Sequence, residues 1–180
     1  MKKIISVFVL SLMLTGCQQA SQQQQSAVGN ERQDASKKLF AQSMMLLQQK
    51  DVKGAVESLE NAIKADPTDP NAYLVLGQIL LKSGEYEHAV EFLGETAKTF
   101  PDNGTVFYML SVANRMAGQK LPAVLAARRS YEIFNAASDA VNAQTSAVLL
   151  EELVKEAQAD QDQAAASKKQ ENKPVAVVKK

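Results

Sequence analysis

Apolar residues recur every three or four positions through the middle of the chain, from about residue 35 to residue 157. This spacing places them on one face of an α-helix, and no strand pattern competes with it. Seven helices are predicted in all, near 35–50, 52–65, 70–83, 85–99, 104–117, 119–134 and 137–157.

Particular residue types return after 34 positions. A bulky apolar residue is followed four positions later by a small residue, twelve positions after that by alanine, and twelve later by proline or asparagine. The sets are Leu39, Tyr73 and Phe107; Ser43, Gly77 and Ser111; Ala55, Ala89 and Ala123; and Pro67, Pro101 and Asn135. Fixed offsets favour a repeated helical hairpin over the alternative, a generic amphipathic bundle.

Each recurring position has a physical task in such a hairpin. The small residue of the first helix and the alanine of the second lie where the helices cross, because larger side chains would force them apart. Gly84 and Gly118 fall where a first helix must end, since glycine adopts the left-handed cap conformation without strain. Asp69 supplies an N-cap for the next helix, and Pro70 is harmless in its first turn.

At these positions, residues 36 to about 135 resemble the tetratricopeptide repeat, most closely in the second copy. The matching residues there are Tyr73, Leu76, Gly77, Leu80, Gly84, Tyr86, Ala89, Leu93 and Pro101. Lys50 departs from the pattern by replacing the turn glycine of the first copy, and Asn114 replaces a leucine-like residue in the third. The resemblance implies an all-α fold, a tetratricopeptide-type α-solenoid of about three helical hairpins plus a C-terminal capping helix.

The predicted capping helix has an apolar series that suits the end of a stack. This series is Val141, Val148, Leu149, Leu153 and Val154. We expect its outer face to stay in water, with Glu151, Glu152, Lys155 and Glu156.

A concave groove lined by the first helix of each hairpin is implied by the same resemblance. Its positions fall at Phe40, Met44, Leu47, Asn71, Leu74, Gln78, Leu81, Tyr108, Val112, Arg115 and Met116. This largely apolar lining suits an amphipathic helix or an extended peptide, although each side chain could instead contact the final helix or the next repeat. A C-terminal carboxylate clamp is not expected, because the positions matching its Lys, Asn and Arg residues carry none of these types. Those positions are Phe40, Met44, Val75, Thr105 and Met109.

The N-terminus reads as an export signal. Lys2 and Lys3 precede an apolar run of eleven residues, from Ile4 to Leu14, which is too short to span a bilayer comfortably. The following Leu-Thr-Gly-Cys, ending at Cys17, resembles the lipobox of bacterial lipoproteins, which implies removal of residues 1–16 and acylation of Cys17. Position 18 is Gln rather than the Asp that commonly retains such proteins in the inner membrane. We therefore expect a lipid anchor in the outer membrane facing the periplasm, with the inner membrane as the less favoured site.

The segments flanking the repeats look like a tether and a tail. Residues 17–33 are rich in Gln and Ser, and residues 158–180 mix Gln, Ala, Asp and Lys, so we predict a Gln/Ser-rich tether and a disordered tail around a domain at 34–157. The tail is mildly basic and could touch anionic lipid or peptidoglycan, although solubility explains it as well. Without Lys2 and Lys3, 18 basic residues face 20 acidic ones, which gives no argument for nucleic acid.

Catalytic chemistry has little support in the sequence. Cys17 is the only cysteine and His88 the only histidine, and neither a phosphate-binding glycine loop nor a nucleophile elbow is present. A carboxylate cluster of Glu85, Glu87 and Glu91 lacks the His or Cys that a metal site usually adds, so these residues read as a solvated helix face. We expect no enzyme, no metal and no cofactor apart from the covalent lipid on Cys17.

The favoured hypothesis is a membrane-anchored adaptor that binds envelope proteins through the groove. It is similar in build to tetratricopeptide lipoproteins that help a pilus or secretion pore assemble. Two other hypotheses remain open: an adaptor that recruits or regulates a peptidoglycan hydrolase or protease, and a hydrolase that uses Glu87 and Glu91. The apolar groove also leaves homodimerisation open.

Overall fold

The computed structural model describes residues 29–171, and every regular element in that range is an α-helix. Helix α1 spans 29–48, and the others are α2 (Val52–Ala65), α3 (Pro70–Ser83), α4 (Tyr86–Thr99), α5 (Gly104–Met116), α6 (Lys120–Ala136) and α7 (Ala140–Glu171). The predicted all-α architecture of helical hairpins with a final helix is confirmed. The predicted signal peptide, Cys17 and most of the predicted tether lie outside the described residues.

The two outer helices are longer than predicted. Helix α1 is already formed at residue 29, inside the segment predicted as a tether. Helix α7 continues to Glu171, so the prediction of a disordered tail is wrong for residues 158–171. The extension contains only residues with adequate helix propensity, mainly Ala, Gln, Lys and Asp, and neither glycine nor proline interrupts it.

Four helix ends are closed in the same way. Lys50, Gly84, Gly118 and Ser138 each have φ between 58° and 77°, the left-handed region. The residue that follows each of them donates its N–H to the carbonyl five positions earlier, at 2.8–3.1 Å. This bond satisfies a carbonyl that the end of the helix would leave unpaired, and it turns the chain into the next helix.

The helices after each hairpin start on a short polar side chain. Asp69, Asn103 and Asp139 precede α3, α5 and α7, and each accepts backbone N–H groups two or three residues further on, at 3.0–3.3 Å. These bonds pair amide donors of the first turn that have no partner within the helix. The predicted N-cap at Asp69, with Pro70 in the first helical position, is confirmed.

The described residues form two compact units, 29–72 and 73–171. In the first unit α1 and α2 make a hairpin, and Ser36 Oγ donates to the Ala62 carbonyl at 3.0 Å. Ala55 and Leu59 of α2 are fully buried, as is Ser43 of α1. The small residues of this repeat therefore occupy the interior that their spacing predicts.

The second unit holds its own core in two adjoining clusters. Ala89 and Leu93 of α4 pack with Ala113 of α5, and Ala123 and Ala127 of α6 pack with Leu149 and Leu153 of α7. Small side chains on α4, α5 and α6 thus let neighbouring helices approach closely.

The predicted capping role of α7 is carried by Leu149 and Leu153, whereas two other members of its apolar series stay outside. Val141 is 77% exposed and Val148 is 47% exposed. No helix in residues 29–171 is both long and apolar enough to cross a bilayer.

Candidate partner-binding groove

A cavity of about 450 Å³ opens between α5 and α7 in the second unit. Its lining, which we call the groove, consists of Tyr108, Val112 and Arg115 from α5 and Gln144, Thr145, Val148, Leu149 and Glu152 from α7. Volumes of this order are common for sites that take a small ligand or a short peptide segment.

The floor of the groove is continuous with the core. Tyr108 and Val112 are half-buried and pack against the cluster that contains Leu149. Val148 remains 47% exposed beside them, and the amide of Gln144 forms no hydrogen bond with a described residue. A bound segment would therefore meet an apolar floor together with a side chain that can donate and accept hydrogen bonds.

A smaller cavity of about 120 Å³ adjoins the groove. Tyr108 and Thr145 line both cavities, and the smaller one is completed by Thr105, Phe134, Asn142 and Ser146. Below it, the buried Ser130 hydroxyl donates to the Gly104 carbonyl at 2.8 Å and lies 2.9 Å from Ser146 Oγ. These contacts tie together the three helices that surround the small cavity.

One rim of the groove carries an ion-pair cluster. Arg115 contacts Glu152 at 3.2 Å and also pairs with Glu156 on the following turn of α7. The Glu156 carboxylate raises the pKa of the guanidinium, and Glu152 adds to the same effect. Glu151, Glu152 and Lys155 are exposed as expected, whereas Glu156 is half-buried. The expectation did not include the ion pairs that Glu152 and Glu156 form with Arg115 of α5.

The eleven sequence-predicted groove residues are divided between the two units. Phe40, Met44, Leu47 and Asn71 belong to the first unit, where Met44 is 40% exposed and Asn71 bonds to Asp69. Tyr108, Val112 and Arg115 meet in the groove of the second unit.

The other four predicted residues also belong to the second unit, but they do not line this groove. Leu81, in the last turn of α3, packs against the cluster between α4 and α5. Met116 is 51% exposed at the end of α5, Leu74 is half-buried and Gln78 is exposed. Their assignment to a binding surface stays a prediction.

The sequence reasoning missed the contribution of α7. Gln144 and Val148 lie 36 residues after Tyr108 and Val112, two more than the repeat period. The extra length arises because α6 has 17 residues and α4 has 14, while the connection after α6 is one residue shorter than the connection after α4. A search that allowed an offset of 36 residues would have found them.

The residues considered for catalysis form no reactive cluster. His88 is exposed on α4, where Nδ1 lies 3.2 Å from Glu85 Oε2, so it has the partner that the sequence did not reveal. Glu87 and Glu91 are exposed on the same helix. In residues 29–171, no three His, Cys, Asp or Glu side chains are grouped closely enough to hold a metal ion.

Two family models match the sequence. Residues 46–111 match the model "Tetratricopeptide repeat", and residues 1–18 match "Prokaryotic membrane lipoprotein lipid attachment site". The chain is a bacterial tetratricopeptide-repeat lipoprotein. The lipobox ending at Cys17 is thus confirmed, and so is the tetratricopeptide pattern within residues 46–111. The attachment site makes this a lipid-anchored, membrane-associated protein.

Solved structures share the fold of this tetratricopeptide-repeat lipoprotein. PcrH from Pseudomonas aeruginosa matches with a TM-score of 0.61 at 17% identity, covering 67% of this chain and 92% of PcrH. The chaperone SycD from Yersinia enterocolitica matches with a TM-score of 0.61 at 15% identity, covering 69% and 87% of the two chains. A search of curated proteins found no match.

A third similar structure, the TPR2B domain of yeast Sti1 in complex with pHsp70, has a TM-score of 0.61 at 13% identity and covers 68% of this chain and 98% of that one. At such low identities these likenesses concern the fold alone. Tetratricopeptide folds typically serve as protein-interaction modules without enzymatic activity, and protein binding is the general role that the fold indicates.

Proposed function

We propose that this lipoprotein is an envelope adaptor whose groove binds a segment of another protein and aids assembly of a pilus, a secretin or another multiprotein complex. The observation that carries the proposal is the open apolar floor between α5 and α7, formed by Tyr108, Val112 and the exposed Val148. A closed core would leave no such opening. An apolar side chain of a partner placed there would remove apolar surface from water, which favours binding.

The size and chemistry of the groove favour a short peptide segment as the occupant. A volume of about 450 Å³ accepts a few side chains and not the whole face of a folded domain. The adjoining small cavity beside Tyr108 offers a place for one apolar anchor, and Gln144 can bond to the main chain of the segment. Both features support a partner with an apolar residue in an exposed stretch.

The comparisons add support for a role in assembly. One solved structure of PcrH contains the chaperone binding region of PopD, and SycD is described as a type III secretion translocator chaperone. By analogy of fold, we propose that this chain holds a component of an envelope machine during assembly. For location we propose the periplasmic face of the outer membrane, which rests on Gln18 following the acylated cysteine.

A crosslinking pull-down from native membranes tests the adaptor role. It compares the wild-type chain with Val148→Glu, which puts a charge on the groove floor, and with Val141→Glu, which makes the same exchange at an exposed valine of α7 outside the groove. Val148 is a better target than Tyr108, because Tyr108 packs against the core and its loss would also lower stability.

The identity of the lost proteins decides between the alternatives. Pilus or secretion components captured by the wild type and by Val141→Glu, but lost with Val148→Glu, would support the assembly adaptor. Peptidoglycan hydrolases or proteases with that pattern would favour the recruiting role. If Val148→Glu captures the same proteins as the wild type, the groove is not the binding site.

The anchor is tested separately with Cys17→Ala. We expect this variant to leave the membrane fraction after a salt wash, because the acyl chains provide stable attachment. Fractionation of inner and outer membranes of the wild type then tests the proposed location. Recovery of the lipidated protein with the inner membrane would refute the outer-membrane assignment.

A further inference from the structure

Helix α6 presents two leucines to solvent on its outer face. Leu121 is 67% exposed and Leu125, one turn later, is 63% exposed. Arg128 continues the same stripe at the next helical step, and it forms no ion pair with any described residue. We call Leu121, Leu125 and Arg128 the α6 stripe.

The corresponding positions of the earlier repeats are charged. Glu87 and Glu91 of α4 stand 34 residues before Leu121 and Leu125, and all four side chains are exposed. On α2 the same positions carry Lys53 and Glu57. In α2 and α4 these exposed positions carry charged side chains, which suit contact with water. In α6 they carry leucine instead.

The charge of α6 also sets this helix apart from α4. Its residues include Lys120, Arg128 and Arg129 against Glu132, a formal charge of +2. Lys120 pairs with Asp160 and Arg129 with Asp102 and Glu132, which leaves Arg128 as the unpaired cation beside the leucines in the part of the chain that the structure describes. A helix with exposed leucines beside basic residues has the composition of helices that lie at a lipid surface. The acidic positions of α4 would be repelled by an anionic membrane, so the two helices would respond to it in opposite ways.

The small size of the α6 stripe favours lipid over a protein partner. Two leucines and an arginine supply far less than the roughly 800 Å² per partner that a stable protein interface buries. A membrane contact needs less, because the anchor at Cys17 already holds the chain at the surface and raises the effective concentration of the contact.

We propose that the α6 stripe rests on the anionic lipid surface of the membrane in which the Cys17 acyl chains are inserted. The leucines enter the headgroup region, and Arg128 pairs with lipid phosphate. Each basic residue at an anionic surface strengthens such binding by about fivefold. The contact would fix how the anchored domain faces the bilayer, and it does not depend on the adaptor role of the groove.

Site-specific quenching in reconstituted vesicles tests this contact. Acylation occupies Cys17, the only cysteine, so a fluorophore can be placed at an introduced cysteine. Pro122→Cys puts the label beside the stripe, and His88→Cys puts it at the exposed position 34 residues earlier on α4. The lipidated full-length chain is reconstituted into anionic vesicles that contain nitroxide-labelled lipid.

We expect strong quenching at position 122, little at position 88, and loss of the quenching at 122 when Leu121→Glu and Leu125→Glu are added. Arg128→Glu keeps both leucines and should also reduce quenching at 122. The groove variant Val148→Glu should leave it unchanged, so a failed groove and a failed membrane contact give different results.

Equal quenching at the two positions, or quenching at 122 that survives the glutamate substitutions, would overturn the proposal. A label at 122 that is shielded from an aqueous quencher only when several copies share a vesicle would also overturn it, in favour of contact between two copies. Circular dichroism of each variant confirms that the helices are retained.

Discussion

Gly77 of α3 faces Leu93 of α4 so closely that a Cβ on the glycine would lie 2.7 Å from Leu93 Cδ2. Leu93 is fully buried, so its side chain has little room to move. The added Cβ would also lie 3.3 Å from Met109 Cε of α5. We expect Gly77→Ala to lower the free energy of unfolding by about 1–3 kcal/mol through overpacking, despite the better helix propensity of alanine. Thermal or urea unfolding measures the change.

Gly94 provides the matched control for this substitution. It lies within α4, where an added Cβ would meet nothing within 4 Å. Gly94→Ala should therefore raise the free energy of unfolding by about 0.5–1 kcal/mol, the propensity difference between the two residues. Equal effects at both positions would show that the close approach at Gly77 does not limit packing.

The positions where neighbouring helices approach closely were the most predictable part of the fold. Gly77, Ala55 and Ala89 repeat at intervals fixed by hairpin geometry, and all three are buried. The length of α7 was not predictable in the same way, since its polar C-terminal part has no apolar period to mark it. For such a segment, composition alone does not separate helix from coil.

The groove was only partly predictable for a related reason. Repeat positions identified Tyr108 and Val112, but the opposite wall comes from a helix whose register is shifted by two residues. The Arg115 ion pairs join residues 37 and 41 positions apart, and no sequence period links those residues. Such contacts depend on how α7 docks, which propensity and spacing do not determine.

Lys50 occupies the left-handed turn position that glycine holds in the next two repeats, with φ of 64°. A non-glycine residue in this region carries about 1 kcal/mol of backbone strain. We expect Lys50→Gly to raise the free energy of unfolding by up to about 1 kcal/mol, because glycine relieves the strain but gives the unfolded chain more freedom. Urea unfolding of the full chain measures the difference.

Lys53→Gly is the control for the change at Lys50, since it makes the same exchange inside α2. There we expect a loss of about 0.5–1 kcal/mol, because glycine is a poor helix former. If Lys50→Gly destabilised the protein as much as Lys53→Gly does, the left-handed turn would not be a source of strain.

Asn114 is buried at a position where the two earlier repeats carry leucine, at residues 46 and 80. Its Nδ2 donates to the Leu110 carbonyl at 2.8 Å, but its Oδ1 has no hydrogen-bond partner among the described residues. An unpaired buried carbonyl costs about 1–3 kcal/mol, so Asn114→Leu should raise the free energy of unfolding by a similar amount. Calorimetry of the variant measures the gain.

Asn114→Ala separates polarity from volume at this position. It removes the unpaired carbonyl but leaves a cavity, and we expect it to be less stable than Asn114→Leu. A lower stability for the leucine variant than for the wild type would mean that the site has no room for a branched side chain.

Arg115 fastens the middle of α7 to α5 through Glu152 and Glu156, and Lys120 of α6 pairs with Asp160 one turn further on. Among the described residues, these are the ion pairs that join α7 to other helices. Arg115→Gln should therefore speed amide hydrogen exchange around residues 152–160 and leave exchange in α4 unchanged. Each pair is partly exposed and contributes less than about 1 kcal/mol, so global stability should change little. The difference between variant and wild type should shrink at high salt, which screens the wild-type pairs.

Lys155→Gln is the control, because Lys155 pairs with Glu151 within α7 and bridges no other helix. If both variants exchange alike, α7 is held by its apolar contacts alone, and the ion pairs at the rim of the groove do not position it.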